Sequence, residues 1–157
     1  MKNGYNGGEL KLATAKKTDA AAWAEEMAAL LESRDYANLD IAGLAEELRD
    51  LSRSRFDELR SRLRILIAHL LQRQYQPAKG SGSWRSTITT QRFDIADMLK
   101  ESPSLGTRLQ PEFTEVWYRA TVQAADETGI DIEKFPAECF WDLQTEILLS
   151  GWFPSGA

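Results

Sequence analysis

Apolar residues recur with helical spacing between Asp40 and Pro77, a stretch that contains no proline. The positions are Ile41, Ala45, Leu48, Phe56, Leu59, Leu63, Leu66 and Leu70. They share one stripe of a helix, whereas a half-buried strand would alternate apolar and polar residues. Because Asp40 offers an N-cap carboxylate and Pro77 bars continuation, the pattern predicts one long helix over about residues 41–76. The serines at positions 52 and 54 leave a kink open, since their hydroxyls compete for backbone hydrogen bonds.

Four shorter stretches are also predicted to be helical, at about residues 18–32, 84–101, 111–128 and 142–149. Thr18 and Ser83 are the expected N-caps of the first two, Pro111 the expected first residue of the third, and Gly129 its expected terminator. Residues 63–71 are apolar on nearly every side, which predicts that other helices surround them. No stretch alternates as a strand would. We therefore predict an all-α, single-domain bundle of about five helices over residues 18–153, organised around the long helix.

The composition fits a domain that folds without a disulfide. Of the 157 residues, 43% are hydrophobic and five are Trp, which is enough for a substantial core. Cys139 is the only cysteine, so an intrachain disulfide and a thiol metal cluster are excluded and a reducing compartment is expected. Residues 1–17, rich in Gly, Asn and Lys, are predicted to be disordered, and they lack the apolar core of a signal peptide. Because no apolar run reaches about 18 residues, we expect a cytoplasmic protein that meets no membrane and carries no metal or other cofactor.

The net charge of −5 is unevenly distributed along the chain. Residues 1–48 sum to −4, residues 49–92 to +7 and residues 93–157 to −8. A basic middle beside an acidic tail is compatible with a nucleic-acid surface. Packing of the two segments against each other would produce the same distribution, and we favour that interpretation because the net negative charge disfavours a polyanionic partner.

Several short motifs follow one another along the chain. They are Trp23 with Leu30-Leu31; Leu44-Ala45-Glu46-Glu47-Leu48; Ser61-Arg62-Leu63 through His69-Leu70-Leu71; Tyr75-Gln76-Pro77; Ser83-Trp84-Arg85; Gln91-Arg92; Ser102-Pro103-Ser104-Leu105; and Phe135-Pro136-Ala137-Glu138-Cys139. In this order and spacing they resemble the bacterial domain-of-unknown-function family twenty-nine over about residues 18–153. The resemblance implies a small, all-helical cytosolic protein, and it brings no assigned activity and no catalytic residue. Two positions depart from the family pattern, Arg73 where an aromatic is expected and Phe140 where proline is expected.

Two polar residues, Gln91 and Arg92, interrupt the apolar seam of the helix predicted at about residues 84–101. A buried polar group there needs a partner, since an unpaired one costs about 1–3 kcal/mol. We expect Arg92 to pair with Glu46 or Glu47 and so to fix how the helices register, with ligand binding as the alternative. The candidate polar cluster comprises Glu46, Glu47, Arg85, Gln91 and Arg92.

The arginines of the long helix fall into two sets. Those at positions 49, 53, 60 and 64 interleave with acidic residues at 46, 50 and 57, which predicts a solvated ladder of ion pairs. The others lie on another face without such partners and form the second candidate site together with two residues beyond the helix. In a nucleic-acid role, Trp84 and Tyr75 would stack on the bases. This candidate basic patch comprises Arg55, Arg62, Arg73, Lys79 and Arg85.

The single histidine and the single cysteine are both predicted to be structural. His69 lies on the apolar half of the long helix, and neither a Glu-x-x-His nor a His-Glu-x-x-His metal motif surrounds it. Cys139 lies between Phe135 and Phe140 and is predicted to be a small hydrophobe. A Cys139–His69 nucleophile–base pair would lack an orienting third residue.

The sequence names no activity. The leading hypothesis is a non-catalytic binding or interaction protein of the bacterial cytosol, which meets an unidentified partner, a protein being one possibility, through Trp152-Phe153 or the basic patch. One alternative is a nucleic-acid-associated accessory factor that uses the basic patch. A second alternative is an enzyme built on the Glu/Arg polar cluster.

Overall fold

The computed structural model describes residues 15–79 and 82–155, and its regular elements are helical. Residues 15–18 are helical, and the longer helices are α1 (Ala20–Glu32), α2 (Ile41–Tyr75), α3 (Gly82–Glu101), α4 (Ser104–Leu109) and α5 (Phe113–Thr128). Short 3-10 turns lie at Tyr36–Asn38, Pro77–Lys79, Gln110–Glu112 and Ile132–Lys134. The described part of the chain contains no strand, so the predicted all-α class is confirmed. None of its helices is both long and apolar enough to cross a membrane.

The chain divides into two compact units, Met1–Ser54 and Arg55–Ala157. Helix α2 contributes its first turns to the N-terminal unit and the rest to the C-terminal unit, and it runs through Ser52–Ser54 without a break. The backbone therefore stays helical at the two serines. Most of the segment predicted to be disordered, residues 1–14, lies outside the described residues.

Asp19, not Thr18, caps the first long helix. Oδ1 of Asp19 accepts the N–H of Ala22 at 3.0 Å, and α1 begins at the next residue. Thr18 instead closes the preceding helical turn, where its hydroxyl donates to the Ala15 carbonyl at 3.0 Å. The cap lies at Asp19 because residues 15–18 already form a helical turn and Asp19 has the extended backbone of an N-cap residue.

Residues 15–17, which the composition placed in the disordered segment, are helical because Lys16 ties them to the N-terminal unit. Its ammonium donates to the Gly43 carbonyl at 3.3 Å and lies 5.0 Å from the ring centroid of Trp23. Trp23 itself is buried, as is Met27 one turn later. No local pattern predicts the contact between Lys16 and Gly43, because the two residues are 27 positions apart.

The apolar stripe of α2 is buried only from Phe56 onwards. Ile41 and Leu48 remain 68% and 66% exposed, whereas Leu63 and Leu66 are fully buried. The reason lies in Gly43, where the absence of a side chain lets Trp23 of α1 approach. Gly43 lies two residues after Ile41, about 200° around the helix, so α1 covers the side away from the stripe.

The core of the C-terminal unit surrounds the segment of α2 that the pattern predicted to be its centre. Six residues between positions 63 and 71 have no exposed surface, namely Leu63, Leu66, Ile67, Ala68, Leu70 and Leu71. Helices α3, α4 and α5 supply Ile88, Leu105, Trp117 and other buried residues to the same core. Such burial, at about 25 cal/mol per Å² of apolar area, is the main force that holds these elements together.

Two further elements differ from the sequence prediction at their ends. Pro111 lies in the 3-10 turn Gln110–Glu112, and α5 begins at Phe113 after it. The expected last helix is a single π-helical turn, Leu143–Ile147, whose N-cap Asp142 accepts the N–H groups of Gln144 and Thr145. Gly129 ends α5 in the left-handed conformation at φ 71°, as predicted.

We expect Gly43→Ala to destabilise the protein although alanine is the better helix former by about 1 kcal/mol. A Cβ at this position would overlap the Asp40 carboxylate, whose Oδ1 accepts the Gly43 N–H at 2.8 Å and caps α2. Overpacking and loss of a cap together cost about 1–3 kcal/mol, to be measured by urea denaturation followed by circular dichroism.

Gly82→Ala is the matched control, because nothing lies within 4 Å of a Cβ built at Gly82, in the first turn of α3. We expect it to be neutral or mildly stabilising. Equal stability of the two variants would contradict the close packing at Gly43.

Candidate functional site

Three arginines converge on the ring of Phe153. Arg73 comes from the last turns of α2, Arg85 from the first turn of α3, and Arg92 lies two turns further along α3. Their guanidinium carbons are 4.5, 5.4 and 5.5 Å from the ring centroid, in that order. A cation over an aromatic face is stabilised by about 0.5–1 kcal/mol at exposed sites, so the ring holds the three side chains on one small surface. We call these four residues the arginine–phenylalanine site.

Arg92 is the buried member of the site and anchors the C-terminal segment. Its Nε–H donates to the Ile147 carbonyl at 2.8 Å, and a terminal N–H donates to the Glu146 carbonyl at 3.3 Å. Burial lowers the pKa of its guanidinium from the ordinary value. The predicted pairing with Glu46 or Glu47 is thus replaced by two backbone carbonyls, because the π-helical turn leaves them turned towards α3.

Arg73 and Arg85 keep their hydrogen-bond donors open. Within the described part of the chain, neither side chain has a carboxylate within 4.0 Å or a hydrogen bond to the protein. A guanidinium carries five N–H donors in a planar fork that matches carboxylate and phosphate oxygens. Their guanidinium carbons lie 4.5 and 5.4 Å from one centroid and so at most about 10 Å apart. Like charges at that distance repel by roughly 1–2 kcal/mol near a protein surface, and a bound anion would relieve that repulsion.

The rest of the candidate basic patch is neutralised or occupied. Arg55 lies 3.7 Å from Glu58, and Arg62 lies 2.9 Å from the same carboxylate and also binds Asp94. The prediction that Arg55 and Arg62 lack acidic partners is therefore wrong, because Glu58 reaches both at i+3 and i−4. Tyr75, predicted to stack on bases, packs instead on Phe135 with the ring centroids 4.6 Å apart. The side chain of Lys79 lies outside the described residues, which leaves Arg73 and Arg85.

The carboxylates of the candidate polar cluster have a partner in the N-terminal unit. The Lys16 ammonium lies 2.9 Å from an oxygen of Glu46 and 3.4 Å from an oxygen of Glu47. Its hydrogen bond with Glu46 raises the pKa of Lys16 and lowers the pKa of Glu46. In the C-terminal unit, Gln91 buries an Oε1 that has no hydrogen-bond partner among the described residues. The predicted cluster is thus replaced by two sets of contacts, one in each unit.

His69 and Cys139 are held in structural hydrogen bonds. The Nδ1 atom of His69 lies 3.0 Å from the Ile65 carbonyl, and the Cys139 thiol donates to the Trp141 carbonyl at 3.3 Å. Burial raises the pKa of the Cys139 thiol to about 11, which keeps it protonated at neutral pH. Within residues 15–79 and 82–155, no three His, Cys, Asp or Glu side chains group closely enough to hold a metal ion.

One feature of the sequence indicates the arginine–phenylalanine site, namely the spacing of two arginines in α3. Arg85 and Arg92 are seven residues apart, which places both on one face of α3. Phe153 carries no comparable signal, since 61 positions separate it from Arg92 and only the folded chain brings the ring to that face.

We expect Arg92→Met to lower the free energy of unfolding by about 1–3 kcal/mol, because the carbonyls of Ile147 and Glu146 lose their donor. Arg85→Met is the matched control, since it removes an exposed guanidinium from the same ring and should cost less than about 1 kcal/mol. Urea denaturation measures both. If the two variants proved equally stable, the anchoring role of Arg92 would be wrong.

We expect Cys139 to react slowly with Ellman's reagent in the folded protein. At about pH 8, a thiol of pKa about 11 is ionised in roughly one molecule in a thousand, against roughly a quarter for a free thiol of pKa about 8.5. Since only the thiolate attacks, the rate should rise about a hundredfold when the protein is unfolded in urea. A native rate equal to the unfolded rate would contradict the raised pKa.

Comparison with known proteins gives a family and nothing more specific. Residues 17–153 match the family described as "Domain of unknown function DUF29". No curated protein and no solved structure matches the chain. The match covers nearly all of the described residues and confirms the resemblance carried by the sequence motifs. The chain therefore belongs to the family of unknown function DUF29.

Proposed function

We propose that this chain is a non-catalytic binding protein of the bacterial cytosol that holds an anionic group of a partner between Arg73 and Arg85. The observation that carries the proposal is the pair of guanidinium groups with open donors on one ring, Phe153, with no carboxylate beside them. In a chain of net charge −5, cations without partners at one point favour a specific anion over general attraction to polyanions.

The chemistry of the ligand follows from the geometry of the donors. Two guanidinium forks beside one ring favour a group with two or more oxygens, either a carboxylate or a phosphate. Arg92 adds positive potential beside the same ring, while its hydrogen bonds to Ile147 and Glu146 hold it in place. The site is thus preorganised, which lowers the entropic cost of binding.

Binding is favoured over catalysis by the state of the two reactive side chains. The Cys139 thiol is protonated and hydrogen-bonded to a carbonyl, and His69 bonds to the backbone of its own helix. A protonated thiol is a poor nucleophile, and among the described residues the His69 ring has no hydrogen bond to a side chain that it could activate as a base. A single half-buried cysteine also suits a reducing cytosol.

A nucleic-acid role is the second candidate, and the contacts of the basic patch weigh against it. A strand needs a track of cations and free aromatic faces. Arg55 and Arg62 are paired with carboxylates, and Tyr75 packs on Phe135. Two open arginines on one ring suit a single anionic group better than a chain of phosphates.

The test is isothermal titration of the full chain at low ionic strength with inorganic phosphate, with citrate and with a single-stranded DNA oligonucleotide. We expect phosphate or citrate to bind, and Arg85→Gln to weaken that binding by about tenfold to a hundredfold, since a hydrogen bond to a charged group contributes about 1.5–3 kcal/mol. The stronger of the two ligands identifies the natural group as a phosphate or a carboxylate.

Arg53→Gln is the matched control, because it removes the same charge from an exposed residue that pairs with Asp50 in the N-terminal unit. It should leave binding unchanged. Absence of binding by both anions, or equal effects of the two variants, would overturn the proposal. Tight binding of the oligonucleotide alone would favour the nucleic-acid role.

A further inference from the structure

Helices α2 and α5 border a groove on another face of the C-terminal unit. Both helices run in the same direction along it, since Arg60 of α2 lies 3.6 Å from Glu112 just before α5, and the Gln76 side chain donates to the Thr128 carbonyl at the other end. Two adjoining cavities of about 320 and 500 Å³ form the groove, and Arg64 and Arg119 line both. These volumes fall in or near the range of pockets that bind small organic ligands, about 300–1,000 Å³.

Most charges along the groove already have partners. Arg119 donates to Glu115 at 2.6 Å, and Arg60 lies 3.6 Å from both Asp57 and Glu112. Glu127 accepts hydrogen bonds from Gln123 at 2.8 Å and from Gln72. Arg119 and Glu115 therefore neutralise each other, whereas Glu127 keeps its negative charge because both of its partners are neutral amides.

Two oppositely charged side chains in the groove have no side-chain partner in the part of the chain that the structure describes. Within the described residues, Arg64 and Asp126 have neither an ion pair nor a hydrogen bond to another side chain. The first was predicted to belong to the ion-pair ladder of α2, but its neighbours Asp57 and Glu115 are taken by Arg60 and Arg119. A free guanidinium and a free carboxylate thus line one cavity of about 500 Å³.

The two charges lie towards opposite ends of the groove. Arg64 shares the smaller cavity with Val116 and Arg119, whereas Asp126 also lines the next cavity, beside Gly129 at the end of α5. Arg119, which lines the larger cavity together with Arg64, lies seven residues before Asp126 on α5, so about 10 Å of groove separates these two positions along the helix at about 1.5 Å per residue. The negative end of the helix dipole adds to the attraction of Asp126 for a cation.

An apolar surface lies between the two charges. Tyr118 and Val122 are one turn apart on α5 and precede Asp126 on the same stripe of the helix. Tyr118 is 58% exposed, so one face of its ring is open to a ligand. A matching ligand carries an anion at one end, a cation at the other and an apolar group in the middle.

We infer that this groove binds a short zwitterionic peptide, with its carboxylate on Arg64, its ammonium on Asp126 and an apolar side chain on Tyr118 and Val122. Extended chain spans at most about 3.3–3.6 Å per residue, so about three residues bridge a separation of about 10 Å. The groove shares no residue with the arginine–phenylalanine site, and the inference stands independently of the anion-binding proposal.

The test uses the tripeptide Ala-Leu-Ala and two derivatives that each lack one terminal charge. N-acetylation removes the ammonium, and C-amidation removes the carboxylate. We expect Ala-Leu-Ala to bind the full chain saturably in isothermal titration, and each derivative to bind about tenfold more weakly, in keeping with the loss of one charged hydrogen bond.

Two variants assign each charge to its residue. Arg64→Gln should weaken the binding of Ala-Leu-Ala but leave the affinity of the C-amide unchanged. Asp126→Asn should also weaken the binding of Ala-Leu-Ala but leave the affinity of the N-acetyl derivative unchanged. Arg53→Gln and Asp97→Asn are the controls, since they remove the same charges from exposed residues that do not line the groove. Both should bind all three peptides like the wild type.

Three outcomes would overturn the inference. The first is the absence of saturable binding of Ala-Leu-Ala, and the second is equal affinity of the three peptides for the wild-type chain. The third is that Arg64→Gln lowers the affinity of the C-amide as much as it lowers the affinity of the free tripeptide. The comparison of peptides on the wild-type chain needs no variant, so a folding defect in Arg64→Gln or Asp126→Asn would not obscure the result.

Discussion

Burial of the apolar residues in the second half of α2 is the constraint on which the C-terminal unit depends. Leu66 and Leu70 have no exposed surface, and their neighbours Ile67 and Leu71 on the adjacent face are equally covered. A helix that is apolar on all sides must be surrounded, so α3, α5 and the segment around Phe135 and Trp141 pack against it from several directions. The polar residues of α2 in this region are pushed to its rim, where Arg64 and Arg73 lie.

The candidate sites consist of charged side chains that form no ion pair with a described residue three or four positions away. Along α2 and α5, acids and bases at i+3 and i+4 neutralise each other, as Arg62 with Glu58 and Arg119 with Glu115 do. Such exposed pairs contribute only a few tenths of a kcal/mol each to stability. Their larger effect is on recognition, because a side chain that is held in an ion pair is less available to bind a ligand. Arg73 and Arg85 on one face, and Arg64 with Asp126 on another, are what remains.

The aromatic residues of the C-terminal segment connect stability to the candidate site. Trp117 donates its Nε1–H to the Pro136 carbonyl at 3.0 Å and packs edge-on against Trp141, which in turn packs against Trp152. Edge-to-face pairs of this kind contribute about 0.5–1.5 kcal/mol beyond buried area. These packed rings fix the position of Phe153, the residue after Trp152. The three arginines therefore contact a ring that the core holds in place.

Local periodicity by itself determined the helical class, the ends of α2 at Asp40 and Pro77, and the buried centre at residues 63–71, because helix formation and amphipathicity are set by residues three or four apart. It did not determine which part of the apolar stripe is covered, since Ile41 and Leu63 follow the same pattern and differ only in what packs against them. Nor did it determine the contact of Lys16 with Gly43 or the partners of Arg92 and Phe153, which lie 27 to 80 positions away in the chain. Those contacts were decided by the tertiary structure alone, because a single sequence shows which residues are neighbours along a helix but not which distant residues folding brings to its surface.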